Sequence, residues 1–172
     1  LFVGSSGVMQ DESADLVRQI ILKVAGRCNI DCSYCYMYSR GSDYWKSVDR
    51  VISVEIADAF ANRARDFLEK HGGRINVALH GGEPLIVGPK RLGKIVSTIR
   101  DVTDDRVDFS IQTNGISVDD EWLSWFAEHN VLVGVSLDGP AAVNDANRKT
   151  KNGRGTHHIV AEAVRQLVSA SD

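Results

Sequence analysis

Four short β-branched runs, each followed by a stretch with helical spacing, constrain this chain more than any other feature. The runs are Ile20 to Ala25, Ile75 to His80, Val107 to Thr113 and Val131 to Leu137. The helical stretches are Val54 to Glu69, Lys90 to Thr103, Asp119 to His129 and Thr156 to Ser169. Strands that read as nearly continuously apolar, alternating with amphipathic helices, predict an α/β fold of four βα units on a parallel sheet with right-handed crossovers. Helix signals agree with that division. Ser53, Asp119 and Thr156 stand at N-cap positions, Pro89 falls in a first turn where proline is tolerated, and Gly72-Gly73 stops the first helix. Periodicity leaves two closures open, a barrel-like sheet and an open doubly wound one. Both place functional groups just beyond the carboxyl ends of the strands.

The first of those junctions holds all three cysteines of the chain, in Cys28-Asn29-Ile30-Asp31-Cys32-Ser33-Tyr34-Cys35. A disulfide framework needs an even number of thiols, and a closed tetrahedral zinc site needs four ligands. Three thiolates in one short loop suit a metal centre that is one protein ligand short. A [4Fe–4S] cluster fits best, with three irons held by Cys28, Cys32 and Cys35 and the fourth open to an exogenous chelating ligand. Zinc completed by a histidine and plain buried thiols remain the alternatives at this point.

The other junctions are polar and turn-forming. His80-Gly81-Gly82-Glu83-Pro84 combines paired glycines, which let the backbone run close to a ligand, with a carboxylate, and such a group of acceptors suits an ammonium ion. The third run ends in Gln112-Thr113-Asn114-Gly115 and the fourth in Gly134-Val135-Ser136-Leu137-Asp138-Gly139-Pro140. Each of these taken singly reads equally as an ordinary turn. His71 and His129 fall at helix carboxyl ends, where imidazolium complements the dipole, and read as structural. His80 either lines the sheet beside a ligand or packs at the end of its strand. Trp122, Trp125 and Phe126 have helical spacing and read as core.

Composition narrows the partners. With 172 residues, 43% of them apolar and 25% charged, the chain can bury a proper core. A net charge of −3, with its basic residues scattered, argues against a nucleic-acid partner. No run reaches the length of a membrane span, and the first residues lack the pattern of a signal peptide, so a cytoplasmic location without a membrane partner is expected. Beginning at Leu1, the chain reads as a piece of a longer polypeptide.

The ordered set of motifs resembles the radical S-adenosylmethionine enzymes. Cys28, Cys32 and Cys35 in CxxxCxxC with Tyr34 before the third, then Gly81-Gly82-Glu83-Pro84, Gln112-Thr113-Asn114-Gly115 and Val135-Ser136-Leu137-Asp138-Gly139-Pro140 carry that resemblance, over roughly residues 18 to 169. Asn144-Asp145, Arg148 and Gly153-Arg154-Gly155-Thr156 extend it to the peptide- and protein-modifying branch with a carboxy-terminal SPASM domain, which includes anaerobic sulfatase-maturating enzymes. Tyr34-Cys35-Tyr36-Met37-Tyr38, Trp45, Arg50-Val51-Ile52-Ser53 and Asn144-Asp145-Ala146-Asn147-Arg148 look most like FxsB-type maturases, which form cyclophane crosslinks in ribosomally made precursor peptides.

The resemblance implies a partial (β/α) barrel, with residues 1–17 as an extension and 18–172 as an incomplete core lacking its carboxy-terminal strands and the SPASM domain. It implies a [4Fe–4S] cluster and S-adenosylmethionine as cofactors, a precursor peptide as substrate, and an electron donor of the flavodoxin or ferredoxin kind or a chemical reductant. By position, Gly81, Gly82 and Glu83 would hold the methionine ammonium, Arg148 the methionine carboxylate, and Tyr34 would lie near the adenine. Ser136 and Asn114 would add polar contacts to the cofactor. No catalytic residue is assigned. Formylglycine formation on a sulfatase, and a non-catalytic metal- or peptide-binding module, are the competing readings.

Overall fold

The computed structural model describes residues 17–39 and 43–170. The expected amino-terminal extension lies outside them apart from Val17. Strands β1 (Gln19–Ala25), β3 (Ile75–Gly81), β4 (Val107–Thr113) and β5 (Val131–Val135) form one parallel sheet in the order β1-β3-β4-β5. Helices α1 (Val54–His71), α2 (Pro89–Val102) and α3 (Asp120–Glu128) connect them, and α5 (His157–Ser169) follows. Among the described residues no helix is long and apolar enough to cross a membrane.

Local signals place most of the boundaries. Ser53 accepts from the Ile56 N–H and Asp119 from the Trp122 N–H, each satisfying an orphan donor of its helix. Pro89 is the first residue of α2. At the end of α1, Gly72 adopts φ 71°, open without strain to glycine, and its N–H reaches the Leu68 carbonyl. Thr156 does not cap α5 as expected. Its hydroxyl donates to the Arg148 carbonyl instead, and the Asp145 carboxylate takes the His157 N–H at 2.8 Å.

Helices α1 to α3 pack on one face of the sheet. Leu68, Leu79, Leu92, Ile99 and Ile111 are fully buried there, each contributing about 1.5–3 kcal/mol by leaving water. Trp122, Trp125 and Phe126 join the same core as expected. The strands are not continuously apolar in effect, because β3 and β4 alternate buried with half-buried or exposed residues. Their second face is polar. Gln19 and Ser110 both donate to the Asn76 side-chain oxygen, and Gln112 donates to the Ser136 hydroxyl. The four strands follow one another across the sheet in chain order, without the reversal that defines a doubly wound sheet, and this is the winding of the barrel-like closure.

Three elements escaped the periodicity. Strand β2 (Ile30–Cys32) pairs antiparallel with β6 (Arg148–Thr150), and α4 (Ala141–Asn147) leads into β6. This small second sheet sets Cys32 opposite Arg148 across 116 residues of chain. It is the staple that brings the cysteine loop to the far end of the described fold.

Candidate metal and cofactor site

The cysteine loop leaves the carboxyl end of β1 and is fastened at every turn. The Arg27 guanidinium donates to the carbonyls of Gly26, Trp45 and Val48 and lies 5.2 Å from the Trp45 ring centre, fixing the segment that follows the loop. The Cys35 N–H reaches the Cys32 carbonyl at 3.1 Å, and the Ser39 hydroxyl donates to that same carbonyl. Ser33 donates through its N–H and its hydroxyl to Asn147. Burial pushes the Cys28 and Cys32 thiols up, opposed at Cys32 by the Arg148 charge. Among the described residues no three Cys, His, Asp or Glu side chains already stand together around one ion. A cluster has corners, so thiols need not converge on a single point to hold one.

The ends of β3 and β4 close on this loop. The Gly82 N–H donates to the Ala25 carbonyl and the Glu83 N–H to the Arg27 carbonyl, at 2.9 and 2.8 Å. A side chain at Gly82 would strike the Arg27 carbonyl and the Tyr38 hydroxyl, and one at Gly81 would strike the Ala25 backbone. The glycines are therefore required by close approach. Asn114 is buried, and its amide donates to the Asn29 oxygen at 2.8 Å and to Cys28 Sγ at 3.7 Å. Asn29 in turn donates to the Ser117 hydroxyl.

Glu83 is placed differently from the expectation that its carboxylate faces a ligand. It is 1% exposed. Oε1 accepts from the Leu85 N–H and the Thr113 hydroxyl, and Oε2 accepts from the Asn114 N–H at 2.7 Å. Burial raises its pKa, while these donors and the Arg148 charge pull the other way. With both oxygens committed inward, the side chain clamps β3 to β4 and leaves the main chain of this segment to meet any ligand.

At the end of β5, Asp138 meets the loop. The Tyr34 hydroxyl donates to Asp138 Oδ2 at 2.5 Å and accepts from Arg148 Nη1 at 2.8 Å, with Arg148 and Asp138 themselves 3.8 Å apart. Arg148 is 8% exposed, and its buried Nε has no partner among the described residues. Asn144, fully buried, accepts from the Asp138 N–H and donates to Asp145 and Thr156, so α4 carries both the acid and the arginine into place. Ser136 stands apart on the polar sheet face, accepting from Gln112. His80 stands at the end of β3, half-buried, its Nδ1 accepting from the Gly81 N–H.

The structure thus gathers Cys28, Cys32, Cys35, Tyr34, Gly81, Gly82, Asn114 and Arg148 at one end of the sheet. Sequence reasoning missed Arg27, Asn29, Tyr38 and Asn144 as parts of this assembly. Asn29 carried a signal in hindsight, being polar and adjacent to the first cysteine; Tyr38 and Asn144 stand inside the quoted motifs without a role given to them there, and Arg27 reaches carbonyls 18 and 21 residues away.

The residues fit an iron–sulfur cluster with an organic co-ligand on three counts. The donor set is three thiols on one loop. Two buried polar atoms beside it, Tyr38 Oη and Arg148 Nε, lack partners among the described residues. The glycine pair keeps the main chain tight against the loop.

Comparison with known proteins agrees. The model of the radical SAM superfamily matches residues 22–171, and the chain belongs to that superfamily, whose members use a [4Fe–4S] cluster and S-adenosylmethionine. The cysteine-type anaerobic sulfatase-maturating enzyme of Clostridium novyi is 26% identical over 150 residues, which cover 86% of this chain and 39% of that protein. The serine-type anaerobic sulfatase-maturating enzyme of Bacteroides thetaiotaomicron is 31% identical over 150 residues, covering 86% of this chain and 36% of that protein. Among solved structures, anSMEcpe with bound AdoMet superimposes with a TM-score of 0.76 at 27% identity, over 90% of this chain and 41% of that one. The same enzyme with bound AdoMet and the Cp18Cys peptide gives 0.75 at 26% identity, over 91% of this chain and 41% of that one. The chain therefore spans well under half the length of these relatives.

Proposed function

We propose that this chain is the core of an enzyme that uses a [4Fe–4S] cluster and S-adenosylmethionine to abstract hydrogen from a peptide side chain. The observation that carries the reading is the β2–β6 staple, which sets three thiols, the Gly82 main chain and the buried Arg148 guanidinium at the carboxyl end of one parallel sheet. When bound, the cluster supplies an electron that cleaves the sulfonium of S-adenosylmethionine to a 5′-deoxyadenosyl radical, reactive enough to take hydrogen from an unactivated C–H bond.

The chain's own residues bind and orient. Cys28, Cys32 and Cys35 hold the cluster and leave one iron open. The Gly81-Gly82-Glu83 main chain offers carbonyls to the methionine ammonium, and the Glu83 side chain fixes that segment against β4. Arg148, whose Nε has no partner among the described residues, takes the methionine carboxylate through a two-pronged contact, while Asp138 and Tyr34 hold the guanidinium in place. Asn114 steadies Cys28, and Ser136 with Gln112 lines the polar face toward the adenosyl group. Residues 18–172 form the core domain in this reading, and a flavodoxin- or ferredoxin-like protein supplies the electron.

The particular reaction we propose is a carbon–carbon crosslink between an aromatic ring and a side-chain β-carbon of a ribosomally made peptide, supported by the FxsB-like motifs around Tyr34 to Tyr38 and Asn144 to Arg148. A second reading, formylglycine formation, is supported by the sulfatase-maturating relatives. The test of the common part is anaerobic reconstitution with iron and sulfide, followed by metal and sulfide analysis and by electron paramagnetic resonance with and without S-adenosylmethionine. Iron and sulfide in equal amounts, with a spectrum altered by the cofactor, support it. Bound zinc without sulfide contradicts it. With a peptide substrate, a ring-linked product that has lost two hydrogens favours crosslinking, and an aldehyde trapped by a hydrazide favours the second reading.

A further inference from the structure

Tyr38 is the buried polar group at this site that none of the roles above uses. Its hydroxyl is sealed from solvent and has no hydrogen-bond partner among the described residues. Buried polar groups are nearly always paired, and an orphan in a folded protein points to a missing ligand. The ring is not free to swing out. It meets the Trp45 ring edge-on at 5.1 Å and 89°, and Trp45 is held by Arg27 through its carbonyl and beneath the guanidinium. The hydroxyl lies against the backbone of Gly82, on a ring three residues beyond Cys35, within range of the charge that Cys28 and Cys35 carry as thiolates. The nearby Arg27 carbonyl already accepts from the Glu83 N–H.

We propose that the Tyr38 hydroxyl is a hydrogen-bond donor to a sulfur of the cluster held by Cys28, Cys32 and Cys35, and that it sets the reduction potential of that cluster; this rests on the cluster assignment made above. Burial, and then the charge of the neighbouring thiols, pushes the phenol up to about 12, so it remains a donor at neutral pH. A donor to cluster sulfur stabilises the more negative, reduced state and so raises the potential. The exposed Tyr36, 71% accessible, has the same chemistry without the aim.

The experiment compares wild type, Tyr38→Phe and Tyr36→Phe as reconstituted protein in a redox titration followed by electron paramagnetic resonance, and as cluster-free protein in urea. Tyr38→Phe keeps the ring and its Trp45 contact. Expected for that variant is a full cluster content and about a tenfold lower ratio of reduced to oxidised cluster at a fixed potential, a shift of about 59 mV for a one-electron couple. Its cluster-free form should unfold at the same or a higher urea concentration than wild type, because the deleted hydroxyl has no partner among the described residues. Tyr36→Phe should leave the potential unchanged. An unchanged potential in Tyr38→Phe, an equal shift in Tyr36→Phe, or outright loss of the cluster in Tyr38→Phe each overturns the inference. So does a destabilised cluster-free Tyr38→Phe, which would assign the hydroxyl to the Arg27 carbonyl. A wild type that holds no cluster would instead overturn the functional reading on which the inference stands.

Discussion

Replacing Glu83 by Gln tests whether a buried carboxylate, rather than the glycines alone, sets the shape of the cofactor segment. Gln fills the same volume, but one of its two polar atoms is an amide that donates. If its oxygen keeps the Leu85 N–H and Thr113 hydroxyl, its NH2 faces the Asn114 N–H, donor against donor. The bond to Asn114 is then lost, at about 0.5–1.5 kcal/mol, and the orphaned N–H costs about 1–3 kcal/mol more. Relief from burying a carboxylate returns part of this, since desolvating an ion costs several kcal/mol. The net expectation is a loss of about 2 kcal/mol at pH 7. With a urea slope of about 1–3 kcal/mol per molar, the unfolding midpoint falls by roughly 1 M at unchanged slope. The pH dependence carries a sign. Burial raises the folded-state pKa of Glu83 above its ordinary 4.5, so its stabilisation is complete below 4.5 and is lost as pH climbs through the raised value. Glu83→Gln has no such slope, and its deficit against wild type shrinks as pH rises across that window. An unfolding free energy within about 0.5 kcal/mol of wild type at pH 7, or parallel pH profiles, would refute the clamp.

Other substitutions probe neighbouring parts of the site. Gly82→Ala forces a methyl onto the Arg27 carbonyl and Tyr38 hydroxyl, so a loss of about 2 kcal/mol or more in urea unfolding is expected, together with weakened cofactor binding. Arg148→Lys cannot hold Tyr34 and Asp138 while offering a second prong, and equilibrium dialysis should show S-adenosylmethionine binding at least about tenfold weaker. At the amino end of the sheet, the exposed Arg74 pairs with Asp108 at 2.6 Å; Arg74→Ala should cost less than about 1 kcal/mol, less still in high salt, and leave cofactor binding unchanged.

The main sheet was legible because its signals are local and periodic. Strand β4 begins at Val107 and ends at Thr113 as the β-branched run does, and the caps at Ser53 and Asp119 need only a residue three positions away. Strands β2 and β6 were not legible, because three residues carry no period and their pairing spans most of the chain. The burial of the Glu83 carboxylate was equally hidden. Its acidic side chain beside two glycines reads as an offered acceptor, and only the arrival of Thr113 and the Asn114 N–H from β4 turns it inward. Thr156 looked like a cap for the same kind of reason: its hydroxyl is spent on Arg148, and Asp145, eleven residues earlier, does the capping. For the candidate site, the motifs named most of the side chains that converge. The fastening by Arg27, Asn29 and Asp138 depends on contacts with segments that only the fold brings together, whereas Asn144 reaches back only six residues, to Asp138.

The most direct measurement is the yield of 5′-deoxyadenosine after anaerobic reconstitution, reduction and addition of S-adenosylmethionine, beside a variant with Cys28, Cys32 and Cys35 all replaced by Ala. The account predicts 5′-deoxyadenosine from the wild type and none from the triple variant. Equal amounts from both, or none from a wild type that holds a reduced cluster and binds the cofactor, would contradict it.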